Sequence, residues 1–322
     1  MPFAKKVLNT GLAVGGTLAA LAIYNNVTEM MAGEVDTVLT GEERRYPWKY
    51  GDMFYAVKGQ PDAQPLLLVH GLVPGASSYE WRKNVDVLAE QFRVYALDLL
   101  GFGLSDHPAI DYSAETFTDL IHDFISEVIG KPAIVVAHGL SCAYVIACAF
   151  RRPQLFDRLV LVSPPASILQ ETAPGTLFDA LQAVLCSPIV GEFLYNLLTS
   201  RQALYDYYDR QGYHNPGLIT DDLVEYLYTS AHQPNSRYPV AALLSHHLML
   251  DVSEPVARLQ MPVVAAWGRE SELTRAGVSE SFKRANSRLD VRVLDRCSDQ
   301  LQYEQAPAFN NLLREFAGTT VR

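Results

Sequence analysis

The chain has 322 residues, 49% of them hydrophobic, which suffices for one large domain with an insertion or for two ordinary domains. Its 36 acidic residues outnumber 26 basic ones, giving a formal net charge of -10, and no long run of Lys and Arg exists, which excludes the basic face that nucleic-acid binding needs. The four cysteines, Cys142, Cys148, Cys186 and Cys297, form no C-x-x-C pair, so they read as buried thiols, and no metal or cofactor site is indicated.

The amino terminus differs from everything after it. Between Lys6 and Glu29 lie 22 residues without a formal charge, VLNTGLAVGGTLAALAIYNNVT. At about 1.5 Å rise per residue they are long enough to cross a bilayer as a helix, so residues 1–33 read as a single-pass membrane anchor. Lys5 and Lys6 before the span, with Glu29, Glu34 and Asp36 after it, favour a cytoplasmic amino terminus and a large domain on the non-cytoplasmic side. Gly11, Gly15 and Ala19 recur every fourth residue, a small-residue face that lets a second membrane helix approach closely. The partners expected from this segment are therefore the lipid bilayer and other membrane-protein subunits. A signal peptide cleaved near Ala20-Leu21-Ala22 and a buried core helix are the other two readings of the same segment.

After the anchor, YPWKYGDMFYAV (Tyr46–Val57) alternates apolar and polar residues and predicts a strand pair. Short apolar runs at 65–71, 92–101, 132–137, 158–165, 261–268 and 291–295 predict buried parallel strands. Between them, WRKNVDVLAEQF and FTDLIHDFISEVIG carry apolar residues at helical spacing. Alternating strands and helices predict an α/β fold, a mostly parallel sheet with helices on both faces. From about Ala166 to Leu259 the alternation stops, and an aromatic-rich helical segment predicts a cap over the carboxyl ends of the strands, its aromatics serving mostly as packing. The core thus comprises residues 34–165 and 260–322, with the cap at 166–259.

His70-Gly71 at a strand end, DLLGFGLSD (Asp98–Asp106) and the strand-to-helix turn in VVAHGLSCAYVIA (Val135–Ala147) together resemble the α/β-hydrolase fold family, over nearly all of residues 46–316. The resemblance implies a nucleophile after the fifth strand, an acid after the sixth or seventh, and then a histidine, in that chain order. This sequence departs from the pattern at each position. Counting back from Arg152-Pro153 puts the nucleophile position at Gly139, with Leu72 and Leu140 as the amides of the oxyanion hole. A shift of two residues makes Ser141 the nucleophile and Cys142 the second oxyanion donor. The acid position of a W-G-x-x-D pattern carries Ser271, leaving Glu270 or Glu272 as substitutes. The histidine position falls in Cys297–Pro307, near Asp299, where no imidazole exists; the last histidine of the chain is His247.

A serine hydroxyl is a poor nucleophile without a base within reach. His246 and His247 lie in the cap and are candidates to hang over the site, and His70 and His138 belong to the strand ends. His107, His122, His214 and His232 read as surface or turn residues. The sequence therefore favours a membrane-anchored pseudoenzyme that binds partner subunits. An active ester or amide hydrolase using Ser141, or an apolar-ligand binder, are the alternatives.

Overall fold

In a computed structural model of the chain, the described residues are 2–170, 175–271 and 277–318, with side chains described from residue 16 onward. Glu272 therefore lies outside the described residues, as do the side chains of Gly11 and Gly15.

Eight strands form one sheet in the order β1-β2-β4-β3-β5-β6-β7-β8. They are β1 (Glu42–Trp48), β2 (Gly51–Lys58), β3 (Gln64–Val69), β4 (Phe92–Leu97), β5 (Ala133–His138), β6 (Phe156–Val162), β7 (Val263–Gly268) and β8 (Asp290–Leu294). The hairpin β1/β2 and the pair β2/β4 are antiparallel, and every later pairing is parallel. The apolar runs make this sheet because side chains alternate across it and both faces are covered. Leu67, Val69, Val135, Ala137, Leu159 and Leu161 point into one core, whereas Leu66, Leu68, Ile134, Val136, Val160 and Val162 point into the other.

The first core is roofed by α3 (Ala114–Asp123), α4 (Ser141–Arg151), α10 (Ser253–Arg258) and α11 (Gly277–Ala285); the second by α2 (Val85–Leu88) and α13 (Ala306–Gly318), which follows α12 (Leu301–Glu304). The helix predicted over WRKNVDVLAEQF is cut to a single turn at Ser78–Trp81 and the short α2. Asn84 explains the break: its buried Nδ2 donates to the Gln302 carbonyl and to Asn310 Oδ1, both at 2.9 Å, which ties the chain to the carboxyl-terminal helices instead of letting it coil on. Between β6 and β7 stands the cap, α5 (Thr176–Leu185), α6 (Val190–Leu198), α7 (Arg201–Tyr207), α8 (Asp221–Ala231) and α9 (Arg237–Leu244). Its aromatics Tyr208, Tyr213 and Tyr228 cluster with Leu204, Leu223 and Leu227 as packing.

The amino-terminal helix α1 runs from Pro2 to Ala32. Among the described residues no single helix is long and apolar enough to cross a membrane, and the side chains of residues 7–15 of the expected span lie outside the described residues. In the last two turns of α1, Asn25 and Thr28 are buried. Asn25 Nδ2 donates to the Ile189 carbonyl at 3.0 Å and its Oδ1 accepts from Asn196 Nδ2 at 3.2 Å. Thr229 Oγ1 caps the Ala32 carbonyl at 3.0 Å. Ala19, the one member of the small-residue face with a described side chain, is exposed.

Candidate functional site

The turn from β5 into α4 is set by one residue. Gly139 adopts φ +58, the left-handed region, where an L side chain costs about 1–2 kcal/mol and glycine costs little. A Cβ built there would meet only the Gly71 Cα, at 4.0 Å, so the apex faces open space. Two residues on, Ser141 opens α4 and is fully buried, its Oγ donating to the His70 carbonyl at 2.7 Å. The serine hydroxyl is thereby held beneath the end of β3.

Above the apex lies a cavity of about 340 Å³, lined by Leu72, His138, Gly139, Leu140, Tyr207 and Asp299 among others. No protein acceptor among the described residues takes the backbone N–H of Leu72 or of Leu140, and both residues border the cavity. Tyr207 is the one cap aromatic among the described residues that reaches it, and burial holds its phenol protonated by pushing its pKa up.

The chemistry of the cavity centres on a group that spacing did not announce. His138, at the end of β5, is 4% exposed and sits between two carboxylates. Its Nδ1 lies 3.1 Å from Glu80 Oε2, and its Nε2 lies 3.6 Å from Asp299 Oδ2. Burial opposes the charge on the imidazole, but Glu80 and Asp299 together outweigh it and push the His138 pKa up to about 10. At neutral pH His138 is therefore an imidazolium, a donor at both nitrogens and a base at neither. Glu80 is fixed in turn, because its Oε2 also accepts from the Gly71 amide at 3.2 Å. Gly71 has no Cβ for the same reason of space: one would stand 2.7 Å from His138 Nδ1. Asp299 is positioned by Ser163, a non-glycine residue at φ +46, whose Oγ donates to the Asp299 carbonyl at 3.0 Å. Three buried atoms of this cluster, Glu80 Oε1, His138 Nε2 and Asp299 Oδ1, have no hydrogen-bond partner among the described residues. Buried polar groups are otherwise nearly always paired, so the cluster fits a polar group of a ligand.

The other sequence-singled residues lie apart. Ser271 is buried at the end of β7. Glu270 is taken up by the backbone, accepting from the Cys297 amide at 3.0 Å. His246 stacks on Phe178, and His247 contacts Asp179 at 3.2 Å and Ser245 Oγ at 2.8 Å; neither borders the cavity. His70 accepts from the Leu99 amide through Nε2 at 3.0 Å, which makes it a fastener of the turn after β4. His232 is buried rather than superficial, its Nδ1 bonded to the Tyr228 carbonyl at 2.8 Å, and burial lowers its pKa. What the sequence missed is Glu80. It is 58 residues from His138 and carries no motif, its one signal being an acid beside Trp81 in a segment that folds back on the strand ends.

With β-strands ordered around this elbow and a helical cap between β6 and β7, the chain belongs to the Alpha/beta hydrolase family, whose pattern it matches over residues 66–309. An uncharacterized protein of Mycobacterium tuberculosis is 39% identical over 98 residues, and the match spans only 28% of that protein's length and 30% of this chain. The 2-hydroxymuconate semialdehyde hydrolase of a Pseudomonas species is 25% identical over 78% of this chain and 86% of its own. Epoxide hydrolase 4 of Mus musculus is 25% identical over 81% of this chain and 75% of its own. Among solved structures, the meta-cleavage product hydrolase of Pseudomonas fluorescens superposes with a TM-score of 0.69 at 23% identity, covering 85% of this chain and 97% of that one. That likeness concerns the fold.

Proposed function

We propose that this chain is an α/β-hydrolase-family protein that binds a ligand at its strand ends without forming an acyl-enzyme. The ligand class the cavity suits is a small, largely apolar molecule with one group that donates to Asp299 and one oxygen that accepts from the Leu72 and Leu140 amides. The observation that carries this reading is the elbow, with glycine at its left-handed apex and the hydroxyl of Ser141 committed to the His70 carbonyl. The state of His138 supports it: an imidazolium whose pKa is pushed up to about 10 has no lone pair with which to activate a hydroxyl or a water at neutral pH.

A second reading, an active ester or amide hydrolase, is favoured by the relatives that are named as hydrolases. In this chain it requires Ser141 to leave the His70 carbonyl and turn into the cavity, with Leu72 and Cys142 as oxyanion donors and Glu270 released from Cys297. Treatment with a fluorophosphonate probe, read by intact mass beside Ser141→Ala, separates the two. Unmodified protein that takes no adduct while retaining its fold supports ligand binding without covalent chemistry. An adduct that vanishes in Ser141→Ala establishes the hydrolase and overturns the first reading.

A further inference from the structure

The helices α1, α5 and α6 carry many large apolar side chains on their outer faces. On α1 the buried positions are Asn25, Thr28 and Ala32, while Ile23, Val27, Met30 and Met31 are 64%, 46%, 80% and 72% exposed. On α6, Asn196 is buried and bonded to Asn25 while Val190, Leu197 and Leu198 face outward. On α5, Leu177, Leu181 and Val184, one stripe at i, i+4 and i+7, are exposed. Of the 18 large apolar side chains exposed among the described residues, 12 lie on these three helices. The helices pack on one another, α1 on α6 and α6 on α5, so the exposed side chains belong to one region of the surface. Scattered apolar residues are normal on a protein surface, but a concentration of this kind is not what water selects.

Charge points the same way. The stretch from Thr176 to Leu198 contains two formal charges: Glu192, which pairs inward with Arg237, and Asp179, which is exposed and lies 3.2 Å from His247 Nε2. The pair α5 and α6 is apolar enough to pass as a membrane span by length and composition, yet it bends by 93° between its helices, which suits an element lying on a bilayer rather than one crossing it. Residues 7–28, which lead into the docked end of α1, carry no formal charge.

We infer that α5 and α6, with the second half of α1, form a face that sinks into the apolar boundary of a phospholipid bilayer, so that the cap rests on the membrane. The occupant is the acyl-chain boundary and not an anionic headgroup, because no Lys or Arg lies in Thr176–Leu198. This goes beyond the ligand reading of the cavity and does not depend on it.

The test uses the full chain with phosphatidylcholine vesicles, carrying an environment-sensitive fluorophore on Leu181→Cys or Leu198→Cys, each in a Cys186→Ser background. Val293→Cys on β8, exposed at the edge of the sheet, serves as the control. Nitroxide-labelled phosphatidylcholine is the quencher. The expected result is quenching at least several-fold stronger at 181 and 198 than at 293, little changed by salt or by added anionic lipid. Protein that floats with vesicles while 181 and 198 stay as accessible to water as 293 overturns the inference, since the amino-terminal segment alone then holds the membrane. Absence of vesicle association overturns it as well, as does lipid-independent burial of both labels in a dimer, which assigns the face to a second copy.

Discussion

The sheet and the outer helices α1, α5 and α6 meet solvent differently. In the sheet, β3, β5 and β6 bury apolar residues on both faces, and the polar groups at their ends are gathered into the His138 cluster. In α1 and α6 the polar Asn25, Thr28 and Asn196 are among the buried residues, while leucine, isoleucine, valine and methionine side chains of α1, α5 and α6 are outside. The contrast teaches that burial in one part of this molecule is organised by water and in the other by something that tolerates apolar exposure. It also predicts that the same kind of substitution has opposite consequences in the two regions.

The largest effect expected is for Val136→Asp. The side chain is fully buried between β3 and β6 and a carboxylate there has no partner, so a loss of more than about 4 kcal/mol is expected, enough to prevent folding. Leu181→Asp on the outer face of α5 should change stability in water by no more than about 0.5 kcal/mol. Urea denaturation of both variants measures the contrast, and equal losses would break it.

Next in size is His138→Gln. Removing the imidazolium leaves Glu80 and Asp299 buried without their cation, and breaking a buried pair in this way costs about 3–5 kcal/mol. The pH dependence gives a sharper check. A folded-state pKa of about 10 lies above the unfolded value near 6.5, so the contribution of His138 is complete below about pH 6.5 and is lost as pH rises through 10. The stability gap between wild type and His138→Gln should therefore narrow progressively from neutral pH to pH 10. A gap that does not change over that window excludes a charged His138.

A smaller and more local effect is expected for Asn25→Leu. The substitution strands the Ile189 carbonyl and the Asn196 amide, at a cost of about 1–3 kcal/mol. Because the contact joins α1 to the cap alone, hydrogen exchange should quicken in residues 20–32 and in α6 while the strands keep their protection. Uniform acceleration would mean that α1 is part of the core rather than of the outer face.

Most of the sheet was legible because apolar runs such as PLLLV and AIVVA can be little else than buried strands once Gly and Pro bound them. The docking of Asn25 and Thr28 was not legible, because the absence of formal charge over residues 7–28 does not say which face of a helix each residue occupies. The elbow was ambiguous for a steric reason: small residues flank both Gly139 and Ser141, and only the left-handed φ at Gly139 distinguishes the two registers. His138 and Asp299 stood at positions the resemblance marks, but their grouping with Glu80 was not legible. Its members come from three segments that meet only after the strands are paired, and no local pattern encodes a distance of 3.1 Å across 58 residues.

Gly139→Ser bears most directly on the chemistry. Gly139→Ser places a hydroxyl at the apex, where a built Cβ meets nothing nearer than 4.0 Å, so the cost is conformational rather than steric, about 1–2 kcal/mol for a left-handed L residue. Folding should survive that loss. The new hydroxyl would face the cavity beside the Leu72 and Leu140 amides, which supplies nucleophile and oxyanion donors together. It would still lack a base, since His138 is already protonated and Asp299 stands where the family resemblance implies the histidine. The expected outcome is a folded, slightly destabilised protein that takes no fluorophosphonate adduct at neutral pH, with labelling appearing only as pH approaches 10 and His138 gives up its proton. Labelling at pH 7 would mean that Asp299 or another group already serves as base, and would move this chain from the binding side of its family to the hydrolytic one.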